Sequence, residues 1–213
     1  MHVIAVHAYR IINFTTAWIV RRWGHLLYPG DIGRIKSRLQ EFARATSAKV
    51  GLAEGKDMLC FGSVDGTNME VCRPSGPWQM QNAIFDGHHW IWAFVYMAVT
   101  TPDGMLPFVW GPEPGCENDE TVVQRARLHS IIEDNFTEET DVGEPIKYYV
   151  YSDQGYALDD DRILRGFPEP EPGSDERMHN RIMSKVRISA EWGFQRVKTT
   201  FIIPGITGIT QAI

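Results

Sequence analysis

Cysteine is scarce: Cys60, Cys72 and Cys116 are the three in 213 residues, and no two form a C-x-x-C pair. That excludes a disulfide-built framework and a thiolate zinc site, and points to a reduced, intracellular protein. Long apolar runs are lacking too. The longest, Ile11 to Val20, contains Asn13, Thr15 and Thr16, is flanked by Arg10, Arg21 and Arg22, and has no A-x-A cleavage site at its end. It is therefore expected neither to cross a bilayer nor to act as a secretion signal, and no membrane partner is expected. Neither a G-x-S-x-G elbow nor a G-x-x-x-x-G-K-[ST] phosphate loop occurs, and His88-His89 has no carboxylate or cysteine at zinc spacing. No internal repeat or heptad array is present, and the one low-complexity tract is Pro168 to Ser174.

What is present suffices for a core: 43% hydrophobic residues and 11% aromatics exclude disorder. The 21 Lys+Arg against 27 Asp+Glu give a formal charge of −6, so any nucleic-acid contact must come from local basic patches. Those patches exist. Residues 10–56 hold nine Lys/Arg and three Asp/Glu, residues 113–176 hold eighteen acids and five bases, and residues 177–200 hold six bases with Glu191 as the one acid.

Periodicity predicts a helix over Asp31–Thr46, with Ile32, Ile35, Leu39, Phe42 and Ala43 inward and Arg34, Lys36 and Arg38 outward. It is read as an amphipathic helix on a core, with DNA contact by its basic face as the alternative. Leu59–Val64 predicts a strand that ends at Asp65-Gly66. His89–Thr101 is apolar without alternation, as in a central strand. Thr101-Pro102-Asp103-Gly104 predicts a hairpin turn, and Met105–Trp110 the returning strand, which Pro107 assigns to a sheet edge. A helix over Asp119–Phe136, with Val122, Val123, Ala126, His129, Ile131 and Ile132 inward, precedes a strand over Ile146–Ser152. A short strand over Arg162–Phe167 and a long helix from about Glu176 to Phe201 follow. Trp90, Trp92 and Trp110 are read as core residues. This order predicts an α/β fold, an RNase H-like mixed sheet with a three-strand antiparallel meander plus parallel strands, flanked by helices. The expected division is an N-terminal helical segment at 1–54, the RNase H-like domain at 55–201 and an irregular tail at 202–213.

Phosphodiester hydrolysis at neutral pH needs an activated water and a stabilised leaving oxygen, which two hard cations held by carboxylates supply. Asp65 and Asp153 each follow a predicted strand, and those two strands are expected to be neighbours. Glu191 lies in the last helix beside the apolar stripe Met183, Val186, Ala190, Phe194, Val197 and Phe201, within reach of the same rim. Individually each acid has a simpler reading: a turn for Asp65 and for Asp153, a cap or helix-dipole partner for Asp119, an ion pair with Arg187 for Glu191. Joint placement favours a metal site.

Four segments, GSVDGTNMEVCRP (62–74), TPDGMLPFVWGPEPGCENDE (101–120), YSDQGYAL (151–158) and HNRIMSKVRISAEWGFQRVK (179–198), resemble the PIF/Harbinger-type DDE transposases and their derived nucleases. The resemblance implies that Asp65, Asp119, Asp153 and Glu191 bind two divalent ions, Mg²⁺ or Mn²⁺. Asp65, Asp153 and Glu191 are the implied catalytic acids, and Arg187 and Lys198 the implied contacts to DNA phosphate. It further implies DNA endonuclease or strand-transfer activity, a separate DNA-binding partner protein and residence in the nucleus, and leaves the oligomeric state open. The sequence departs from the family at Gly87-His88-His89-Trp90-Ile91-Trp92, where relatives carry a Lys-Arg cluster, at Gln154 and at Trp192-Gly193-Phe194-Gln195. Those departures keep a second expectation alongside the first: a catalytically idle, transposase-derived module that binds DNA or protein.

Overall fold

The computed structural model describes residues 2–52, 58–141, 143–153, 156 and 161–200. The expected boundary at 54/55, Gln154, Phe201 and the tail at 202–213 lie outside the described residues.

Helix α1 (His2–Trp23) comes first. From residue 9 onward its side chains are exposed, Tyr9, Phe14 and Trp18 among them. The next predicted helix forms as two, α2 (Ile32–Lys36) and α3 (Leu39–Val50). Asp31 caps α2 by accepting a hydrogen bond from Arg34 N at 3.2 Å. The break at Ser37-Arg38 still leaves Ile35, Leu39, Phe42 and Ala43 buried, as the periodicity required. Arg34 and Arg38 both pair with Asp103 in the hairpin turn, so much of this basic face is spent on the protein itself.

Strand β1 is Cys60–Glu70. The prediction that it stops at Asp65 is corrected: Asp65 pairs with Ala98, and the antiparallel ladder continues to Glu70↔Ala93. Asp-Gly favours a turn locally, but Thr67 and Met69 each gain a partner on the neighbouring strand, and pairing overrides the local preference. Helix α4 (Trp78–Ala83) and strand β2 (Phe85–Asp86) lead into β3 (Ile91–Thr100), which has neighbours on both sides as predicted. The expected turn forms, with Gly104 N donating to Thr101 O at 2.8 Å. The return strand β4 is Phe108–Pro114, three residues later than predicted, so Pro107 precedes it. β4 lies at the edge beyond β3, and there Val109 N donates to Leu27 O at 2.7 Å.

The helix predicted over 119–136 is also divided, into α5 (Asp119–Ala126) and α6 (Leu128–Asn135), because Arg127 takes a left-handed conformation at φ 54°. The turn rotates α6 so that Leu128 is buried, while the His129 side chain is 43% exposed. Strand β5 (Thr137–Glu138) pairs with β6 (Ile146–Lys147) in a small separate ribbon. The main sheet resumes at β7 (Tyr149–Ser152), parallel to β1, and β8 (Ile163–Arg165), parallel to β7. Helix α7 spans Asp175–Thr200.

The result is one mixed, curled sheet in the order β2-β3-β1-β7-β8, with β4 also on β3, flanked by helices. Val64, Val99 and Met97 face the main core beneath α2, α3, α5 and α6. On the opposite face Met183 and Val186 of α7 pack with Cys60 and Tyr151. Trp90 departs from expectation: it is 80% exposed, whereas Trp92 and Trp110 are partly buried. Among the described residues no helix is long and apolar enough to cross a membrane.

Candidate functional site

The parallel ladder between β1 and β7 ends at Ser63↔Tyr151. Two residues further on each strand stand Asp65 and Asp153, side by side where β7 stops and β1 continues with β3 as its partner. The pairing of these strands thus places the two carboxylates next to each other, as the order of elements led one to expect. Cross-strand neighbours share a face, so Asp65 projects with Ala98 toward the side that carries α7. There Arg187 and Glu191 overlie it. Arg187 Nη2 pairs with Glu191 Oε1 at 3.1 Å, the expected i, i+4 contact, and Arg187 Nη1 approaches Asp153 Oδ2 at 3.4 Å.

Asp119 arrives from the other face. A Cβ built on Gly66 would stand 2.9 Å from Asp119 Oδ1 and 3.4 Å from the Tyr156 hydroxyl. Asp119 is the first residue of α5, whose cap is Asn118, accepting from Thr121 N at 2.8 Å. The cap is therefore Asn118 and not Asp119; Asp119 stands in the first turn, where the helix dipole favours an acid, and its side chain is not used in capping. A side chain at position 66 would have to displace the Asp119 carboxylate.

The electrostatics follow from this crowding. Burial pushes the Asp65 carboxyl up to about 6; Arg187 and the Gly66 N–H oppose the rise, and Glu191 and Asp153 add to it. Asp119 is raised by burial and by Asp153. The Tyr156 phenol is raised well above its ordinary value by burial and then by Asp119, Asp65 and Asp153, a group that sequence reasoning did not single out. Asp65, Asp119, Asp153, Glu191 and Arg187 thus form one electrostatically coupled set. Lys198 stands apart from it, exposed and two helical turns beyond Glu191.

These acids are hard oxygen donors, two of them poorly solvated, and neutralisation by a cation would relieve a charge that burial disfavours. No three of these acids, however, bring their oxygens within 4.8 Å of one another. Among the described residues the one trio of donors within 4.8 Å of one another is His129, Glu133 and Asp161, at the surface beside β8. That trio already has cationic neighbours: Lys147 binds Asp161 at 3.1 Å and Arg162 lies 3.7 Å from Glu133. Its only trace in the sequence is the i, i+4 spacing of His129 and Glu133.

Residues 64–208 match the family described as DDE superfamily endonuclease. No curated protein and no solved structure matches the chain.

Proposed function

The chain belongs to the DDE superfamily endonucleases, and from that premise we propose that it is a PIF/Harbinger-type, divalent-metal-dependent DNA nuclease with an RNase H-like sheet. The carrying observation is the coupled set at the end of β7, in which Asp65 and Asp153 sit on adjacent strands, with Glu191 above and Asp119 below. In this reading Asp65 and Asp153, with Asp119 and Glu191, would hold two Mg²⁺ or Mn²⁺ ions. The ions, when bound, supply an activated water or DNA 3′-hydroxyl and stabilise the leaving oxygen. Asp65, Asp153 and Glu191 are the catalytic acids. Arg187 orients Asp153 and Glu191 and then takes a DNA phosphate, with Lys198 contacting the strand two turns further on. A nuclear location and a separate DNA-binding partner belong to the same reading, through the transposase resemblance.

The test is cleavage of supercoiled DNA in Mn²⁺ by the wild type and by Asp153→Asn, with circular dichroism to verify folding. The wild type should cut only with divalent metal, and the variant should lose at least a hundredfold in rate while staying folded. Equal cleavage by both would remove the mechanism. A second reading, the idle module, is favoured by one observation: Arg187 bridges Asp153 and Glu191 where a cation would otherwise bind. It predicts no cleavage and no rise in melting temperature with millimolar Mn²⁺.

A further inference from the structure

The sheet face that carries Asp65 has a second built feature at its far end. Side chains alternate along a strand, so Trp92, Tyr96 and Ala98 share one face of β3, and Asp65, Thr67 and Met69 continue it on β1. From Ala98 to Trp92 is six residues, roughly 20 Å at about 3.3 Å each. There a cleft of about 340 Å³ opens among aromatic side chains. Phe85 lies 5.3 Å from Trp92 and 6.3 Å, edge-on, from Trp90. The Arg73 guanidinium lies over Trp92 at 5.2 Å from the ring centre, held there by Arg73 Nε donating to Gln81 Oε1 at 2.9 Å.

Two features of this cleft have no account in the core. Trp90 and Trp78 are 80% and 66% exposed, side chains whose faces water solvates poorly. Trp90 also sits at φ 60°, a conformation that bulky residues avoid. The loop that presents it is firmly built. Buried Asp86 accepts hydrogen bonds from His88 N at 2.9 Å, from His89 N at 3.2 Å and from Asn68 Nδ2, and pairs with His89 Nδ1 at 2.6 Å. A strained, exposed indole on a firmly held loop is a presented surface.

We propose that this cleft is a base-stacking subsite for an unpaired nucleotide of a nucleic-acid strand. Indole faces match the flat faces of a base, Asn82 offers an amide group to its edge, and Arg73, steadied by Gln81, offers a charge to its phosphate. A cationic ligand is disfavoured because Arg73 already covers Trp92 and Asp86 is engaged in its own loop. A plain aliphatic partner would leave the guanidinium and the Asn82 amide unmatched. The subsite rests on the proposed substrate being nucleic acid, and not on the metal centre. Its distance from Asp65 corresponds to about six nucleotide steps of one strand at about 3.4 Å each, so a strand engaged at the acids is long enough to reach it.

The experiment is binding of a fluorescent single-stranded DNA 12-mer to the full chain in EDTA, against the same strand with its central nucleotides abasic. The intact strand should bind at least fivefold more tightly. Trp78→Ala and, separately, Trp90→Gly, which removes the backbone strain, should each weaken the intact strand between about fivefold and a hundredfold and leave the abasic strand unchanged. Equal binding of the two strands, or unchanged affinity in both variants, overturns the subsite. Base-dependent binding without metal-dependent cleavage would overturn only the nuclease reading, and cleavage without base dependence only the subsite.

Discussion

Replacing Asp65 by Asn should stabilise the folded protein while removing a proposed metal ligand. The carboxyl rises from an ordinary 3.8 to about 6, chiefly through burial, and each unit corresponds to about 1.4 kcal/mol. An ionised Asp65 therefore costs the fold up to about 3 kcal/mol at pH 7, and about 2 kcal/mol once its partial exposure is allowed for. The sign is set by proton uptake. Between pH 4 and 6 the folded chain holds this proton and the unfolded chain has released it, so wild-type stability falls as the pH rises through that window. Asn has the same shape, can still accept from Gly66 N, which lies 3.0 Å from the native Oδ1, and carries no charge at any pH. In EDTA at pH 7.5 the urea midpoint of Asp65→Asn should lie above the wild type by about 1 M, taking about 2 kcal/mol per molar for the slope. The two midpoints should converge near pH 4. Adding Mn²⁺ at a hundred times its dissociation constant should raise the wild type by about 2.7 kcal/mol and the variant by much less. A variant less stable than the wild type at pH 7.5, or a difference independent of pH, would refute the reasoning.

Arg187→Gln removes the cation that lowers the Asp65 pKa, so the acidic limb of Mn²⁺ binding, followed by calorimetry against pH, should move upward by about one unit; an unmoved limb would detach Arg187 from the acids. Gly62→Ala places a Cβ 2.6 Å from the Thr100 carbonyl oxygen, forcing β1 from β3 beside the site, and should cost about 3 kcal/mol in chemical denaturation. An unchanged midpoint would contradict the pairing at this end of the sheet.

The adjacency of Asp65 and Asp153 was legible because the order of elements makes β1 and β7 neighbours, whereas Asp119 joined the candidate set only through the family resemblance. What stayed hidden depended on pairings that no local pattern encodes. β1 passes through Asp-Gly because β3 is long enough to pair with it as far as Glu70. α5 and α6 are separated by one left-handed Arg127, for which the apolar periodicity gave no sign, since Ala126 and Leu128 are buried on either side of it. Arg187 was visible as an i, i+4 partner of Glu191, but its reach to Asp153 needed the helix to be docked. Trp90 was counted with the strand because its neighbours are apolar; the turn anchored by Asp86 turns it outward.

The bridge made by Arg187 is too weak to close the site. α7 is anchored on one side by Met183 and Val186 against Cys60 and Tyr151. On the other it is anchored at Gly193, where a Cβ would lie 3.0 Å from Leu106 and 3.2 Å from Thr100 Oγ1. Arg187 and Glu191 lie between these anchors, so either side chain can change partner without undocking the helix. The Arg187 side chain is 28% exposed, and those of Asp153 and Glu191 are 51% and 48% exposed. Solvated ion pairs of that kind are worth about 1 kcal/mol or less, and the 3.4 Å arm to Asp153 is long for a charged hydrogen bond. Relieving the buried Asp65 charge is worth more than holding that bridge. That no three of the acids bring their oxygens within 4.8 Å of one another is the arrangement expected of mutually repelling carboxylates around one exchangeable cation.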